Sequence, residues 1–179
     1  MHSFPIPLER YRPLFTQGAY LAVPSIRHVS AASVDRAIKQ RSRMHWWLAQ
    51  HEIAKSHPGA QALLLDEEQH VTETASANFL IVKKGVIVSP PSPSILPGVS
   101  LKVLKELSAE LNVRWEERVL TLEDCWQADE AMLTCTSYCV AGVSRLHDKT
   151  LPWPGPLYQK LLARWNEQVG VDIAASFAP

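Results

Sequence analysis

Two apolar runs, residues 78–82 and 86–88, flank Lys83-Lys84-Gly85, and this pattern constrains the fold more than any other stretch of the chain. A polar turn ending in glycine between two strand-forming runs reverses the chain into an antiparallel hairpin. Other apolar segments follow a different period. Residues 19–23, closed by Pro24, and residues 62–65 read as strands, the second followed by a polar turn over 66–69. Between them, Met44, Trp47, Leu48 and Ala54 recur at roughly helical spacing until Pro58-Gly59 stops the helix. Leu101, Leu104, Leu107 and Leu111 mark the apolar face of a second helix, with Ser100 as its N-cap candidate. Residues 113–119 alternate and predict a strand, and Thr121-Leu122-Glu123-Asp124 opens a short helix. Residues 131–134 and 140–143 predict two more strands. Pro156 suits the first position of a last helix, with Leu157, Leu161 and Trp165 on one stripe. Hairpins mixed with helical crossovers imply an α/β fold built on a mixed sheet, more wrapped than doubly wound.

The chain's 179 residues suffice for one sizeable core. We expect residues 1–18, rich in proline and aromatics, to form a lead-in segment and residues 19–179 to form one domain. Lysines and arginines number 18, as do aspartates and glutamates, so the chain lacks the basic excess that nucleic acid or an anionic membrane selects. Its apolar runs are far too short to cross a bilayer. Met1-His2-Ser3-Phe4-Pro5 has neither the charged nor the apolar region of a secretory signal. Cys125, Cys135 and Cys139 make an odd count without a CxxC pair, which points to buried apolar fillers in a reducing cytoplasm rather than a disulfide or zinc framework. The histidines lack ligand spacing, since His45, His51 and His57 recur every six residues. GxSxG, GxxxxGK and GxGxxG sequences are absent.

The chemistry resides in separated residues. Lys39, in Ala37-Ile38-Lys39 at an expected strand end, offers an amine that can condense with an aldehyde. Glu73, in the short polar stretch Val71-Thr72-Glu73-Thr74, offers a carboxylate that can hold a protonated ring nitrogen. Those are the two demands that pyridoxal 5′-phosphate (PLP) makes of a protein. Leu96-Pro97-Gly98-Val99-Ser100 leads into a helix whose first N–H groups can bind phosphate, and equally reads as an ordinary capped loop. Thr134-Cys135-Thr136-Ser137 follows a buried strand with hydroxyls and N–H groups suited to an anion, or serves only as the strand's exit. The plain reading of Asn78 is a turn residue.

Taken in order, Ala37-Ile38-Lys39, Ala62-Leu63-Leu64-Leu65-Asp66, the stretch from Val71 through Glu73 to Asn78-Phe79, Leu96-Pro97-Gly98-Val99-Ser100, Leu120-Thr121-Leu122-Glu123-Asp124 and Ala128-Asp129-Glu130-Ala131 resemble the class IV (fold type IV) PLP-dependent enzymes. That family includes branched-chain aminotransferases, D-amino-acid aminotransferases and aminodeoxychorismate lyases. The resemblance implies the larger, C-terminal domain of the family, a curved mixed sheet with surrounding helices. It makes Lys39 the Schiff-base lysine and Glu73 the partner of the pyridine nitrogen. It sets Val99, Ser100 and Thr136 at the cofactor phosphate, with Cys135 beside them. Arg43 falls where many of the aminotransferases carry tyrosine and resembles the lyase branch. The implied reaction is amino transfer between an amino acid and a 2-oxo acid in a homodimer, with pyruvate release from aminodeoxychorismate as the alternative. The resemblance further implies that the chain begins where a smaller N-terminal domain ends. An arginine that reaches the phosphate and part of the substrate pocket would then be absent.

Overall fold

The hairpin forms where the sequence predicts it. In the computed structural model, which describes residues 5–178, strand β4 (Asn78–Lys83) pairs antiparallel with β5 (Val86–Ser89). Lys84 and Gly85 take φ values of 51° and 75°, so both central turn residues are left-handed, matching the twist of the strands they join. The segment expected to lack a secretory signal lies largely in residues 1–4, outside the described residues.

The other elements follow in chain order. Helix α1 (Arg12–Thr16) precedes β1 (Ala19–Ala22), and a long loop leads to α2 (Met44–Ser56). Strands β2 (Gln61–Leu65) and β3 (Val71–Thr74) come before the hairpin. After it come α3 (Val99–Glu110), β6 (Trp115–Glu117), α4 (Leu122–Trp126) and β7 (Glu130–Cys135). The chain ends with β8 (Cys139–Leu146), the short β9 (Lys149–Thr150) and α5 (Pro156–Val169). The strands lie in the order β3-β2-β1-β8-β7-β4-β5-β6, with β9 on β8. β1 runs parallel to β2 and β8, and β5 parallel to β6, while the other pairs are antiparallel. One further pairing, β3 with β4, joins the ends of the path β3-β2-β1-β8-β7-β4 into a closed ring. The sheet is therefore mixed and wrapped, as the hairpins and crossovers imply.

The main core packs Phe79, Leu80, Ile81, Leu104, Leu107, Leu133 and Leu161. A smaller cluster, Trp46, Ala49, Ile53, Ala62 and Leu64, sits between α2 and the sheet. That cluster corrects the expected face of α2. Met44, Trp47 and Leu48 are exposed, and the buried stripe is Trp46-Ala49-Ile53 at the i, i+3, i+7 spacing. Apolar residues on both sides of the helix let the sequence spacing select the wrong one.

Helix ends follow local chemistry more closely. The Thr121 hydroxyl accepts the Asp124 N–H at 3.2 Å, and Asp124 accepts the Thr121 N–H at 2.9 Å, a reciprocal cap that starts α4. Pro156 opens α5 as expected. That helix is also capped from β7, because the buried Glu130 carboxylate accepts the N–H groups of Leu157 and Tyr158, each at 2.9 Å. Ser100 is not the cap of α3. Gly98 holds that position with extended backbone, and Ser100 lies buried inside the first turn. The strand expected over 113–119 shortens to Trp115–Glu117, while the polar stretch around Glu73 proves to be a fully buried strand. Of the cysteines, Cys125 is buried as expected, whereas Cys135 and Cys139 are half-buried at the end of the β7–β8 hairpin. Before β1, Leu14 is buried and Phe15 stacks on Phe177 at 4.8 Å.

Candidate active site

A cleft of about 460 Å³ opens where four segments converge. They are the loop between β1 and α2, the β3–β4 turn, the loop entering α3 and the β7–β8 turn. Lys39, Glu73 and Arg43 all line it. So do Val99, Ser100, Cys135 and Thr136. Residues separated by up to 97 positions therefore meet in one place, because ring closure brings the ends of β3, β4 and β7 together.

Lys39 corrects one expectation. It stands exposed in the loop between β1 and α2, not at a strand end. A single apolar neighbour, Ile38, does not make a strand, and Ile38 is itself exposed.

Glu73 is 8% exposed. Its Oε2 accepts the Asn78 side-chain amide at 2.9 Å and the Leu96 N–H at 3.2 Å. Among the described residues Oε1 receives no hydrogen bond. Burial pushes the Glu73 carboxyl up to about 7, against the opposing pull of the Leu96 N–H, Arg36, Arg43 and Asn78. A buried carboxylate with one oxygen free is an acceptor for a cationic N–H donor entering the cleft.

The opposite end is built for an anion. No side chain caps α3. Intrahelical carbonyls cannot reach the first-turn N–H groups of Val99 and Ser100, which line the cleft. Thr136 lies across from them in the β7–β8 turn, and the buried Thr134 hydroxyl beside it has no partner among the described residues. Arg36, Lys39 and Arg43 line the cleft against one carboxylate, Glu73, so fixed charge there is net positive. Arg43 precedes α2 and donates to the Ala75 carbonyl.

Sequence reasoning missed His28 and Arg36. His28 is buried, stacks on Trp46 at 5.0 Å and is held down at about 4, by burial first and then by Arg36 and His45, so it is neutral at physiological pH. Arg36 donates to the Ser94 carbonyl at 3.1 Å, across 58 residues. Neither sits in a local pattern that could have announced it.

This arrangement has counterparts. The family model for amino-transferase class IV matches residues 1–146. The "Probable branched-chain-amino-acid aminotransferase" of Thermotoga maritima is 29% identical over 157 residues, covering 86% of this chain and 56% of its own. The crystal structure of the Escherichia coli branched-chain amino acid aminotransferase superposes with a TM-score of 0.78 at 25% identity, covering 86% of this chain and 51% of that one. A Thermus thermophilus branched-chain amino acid aminotransferase, solved with N-(5′-phosphopyridoxyl)-L-glutamate, shares the fold with a TM-score of 0.79 at 24% identity, over 85% of this chain and 52% of that one. The chain thus spans about half the length of the relatives it matches. On the family match over most of its length, the chain belongs to the class IV aminotransferases.

Proposed function

We propose that the chain carries the PLP site of an aminotransferase that moves an amino group between an amino acid, of the branched-chain type, and a 2-oxo acid. The observation that carries this reading is one cleft holding a lysine amine, a buried carboxylate with a free oxygen, and open N–H groups at a helix start. When bound, PLP supplies the electron sink that draws charge from the substrate's α-carbon. Lys39 Nζ is the amine that attaches the aldehyde and, once displaced by substrate, moves the α-proton as general base and acid. Glu73 Oε1 holds the proton of the ring nitrogen. The N–H groups of Val99 and Ser100, with the Thr136 hydroxyl, hold the phosphate. Cys135 and Arg43 line the same cleft, and the cations around it add to its attraction for the phosphate and the substrate carboxylate.

Arg43 also supports a second reading, a lyase that releases pyruvate from aminodeoxychorismate, since Lys39 and Glu73 serve either chemistry. We read the protein as a homodimer, because Ile38 and Val99 at the cleft and Met44, Trp47 and Leu48 on α2 leave large apolar side chains exposed. Three free cysteines suit a reducing compartment such as the cytoplasm. Among the described residues no helix is long and apolar enough to cross a membrane.

The test is a half-reaction. Protein loaded with PLP and given leucine should yield pyridoxamine phosphate and the 2-oxo acid, followed by absorbance, with light scattering reporting a dimer's mass. Pyruvate from aminodeoxychorismate without transfer from leucine would favour the lyase, and a monomer would contradict the dimer.

A further inference from the structure

Asn78 is the first residue of β4 and is 4% exposed. It pairs with Glu73 on β3 and with Thr134 on β7. The Glu73–Asn78 pair is the one register pair joining β3 to β4, and thus the seam that closes the ring. The reading of Asn78 as a turn residue does not hold, because its backbone belongs to a strand and is not left-handed.

Its side chain has partners on three sides. Nδ2 donates to Glu73 Oε2 at 2.9 Å and to the Leu96 carbonyl at 2.8 Å. The Leu96 N–H donates to the same Oε2 at 3.2 Å. Amide, carboxylate and the Leu96 peptide groups therefore form a closed circuit. Oδ1 faces Gly98, the cap of α3, so closely that an added Cβ would overlap it. One neutral side chain thus contacts the carboxylate at one end of the cleft and the loop that launches the anion-binding helix at the other.

A buried carboxylate needs both an orientation and a donor that favours its charge. The Asn78 amide meets both needs by engaging Oε2 and leaving Oε1 to the cleft. Resting on the role given to Glu73 above, we propose that Asn78 is a positioning residue that fixes the Glu73 carboxylate and ties it to the entry of α3. Arg36 and Arg43, on the loop before α2, are the charged groups that bear on Glu73. β4 and the loop before α3 supply only the neutral donors Asn78 and the Leu96 N–H.

Asn78→Asp keeps the shape, removes the donor and adds a like charge. Asn78→Ser removes the donor alone and serves if the aspartate variant fails to fold. The full chain, free of cofactor and labelled with ¹³C-glutamate, is titrated by NMR, and Glu73→Gln identifies the Glu73 signal. The wild-type midpoint should lie at about 7. It should rise by about one pH unit or more in Asn78→Asp and by less in Asn78→Ser. PLP added to the same samples should bind roughly tenfold more weakly to Asn78→Asp. An unmoved midpoint in folded Asn78→Asp or Asn78→Ser overturns the proposal. Wild-type protein that takes up no PLP would count against the function proposed above and leave the midpoint comparison intact.

Discussion

Glu73→Gln is expected to leave PLP attached at Lys39 and to slow the amino-acid half-reaction by about ten- to a hundredfold. Glutamine keeps the shape and can still accept a hydrogen bond, but it carries no charge to hold a proton on the ring nitrogen. The charge-assisted bond that is lost is worth about 1.5–3 kcal/mol, and each ~1.4 kcal/mol is a factor of ten. Stopped-flow absorbance measures the rate, and wild-type turnover in the variant would remove Glu73 from the mechanism. The same substitution has a signature without cofactor. Burial raises the folded-state value from the ordinary 4.5 to about 7, so between those values the folded protein binds more protons than the unfolded chain. Stability conferred by the neutral carboxyl is fully present below 4.5 and is lost as pH rises through about 7. Glutamine does not ionise, so melting temperatures of the cofactor-free variant should lack that decline.

Gly98→Ala should weaken PLP binding by about a hundredfold. An added Cβ would lie far inside contact distance of Asn78 Oδ1. Either Asn78 turns away from Glu73 and Leu96, or the first turn of α3 shifts away from the cleft. The first outcome loosens the carboxylate, and the second withdraws the Val99 and Ser100 N–H groups from the phosphate. Losing one or two charge-assisted hydrogen bonds accounts for the magnitude. Fluorescence titration with PLP measures it, and unchanged affinity in folded Gly98→Ala would show that the tight approach of Gly98 to Asn78 does not serve the cofactor.

Local chemistry made much of the fold legible before the structure. The Lys84-Gly85 turn, the Thr121–Asp124 cap and the Pro156 helix start each depend on residues within a few positions of one another, and each formed as read. Legibility failed where tertiary contacts decide. The buried face of α2 was misassigned because Met44, Trp47 and Leu48 are as apolar as the residues the sheet selects. Lys39 and Glu73 were visible as chemistry, but their settings were reversed, an exposed loop for the lysine and a buried strand for the carboxylate. Asn78, His28 and Arg36 gain their surroundings only when the ring closes, and their sequence neighbours carry no trace of that closure.

The proposal that Lys39, Glu73 and the start of α3 form one PLP site is tested most directly by borohydride reduction of the protein with bound PLP, followed by peptide mapping. One pyridoxyl label per chain is expected, on Lys39, and it should be lost in Lys39→Ala. A label on Lys55, Lys83 or another lysine, with Lys39 unmodified, would contradict that assignment.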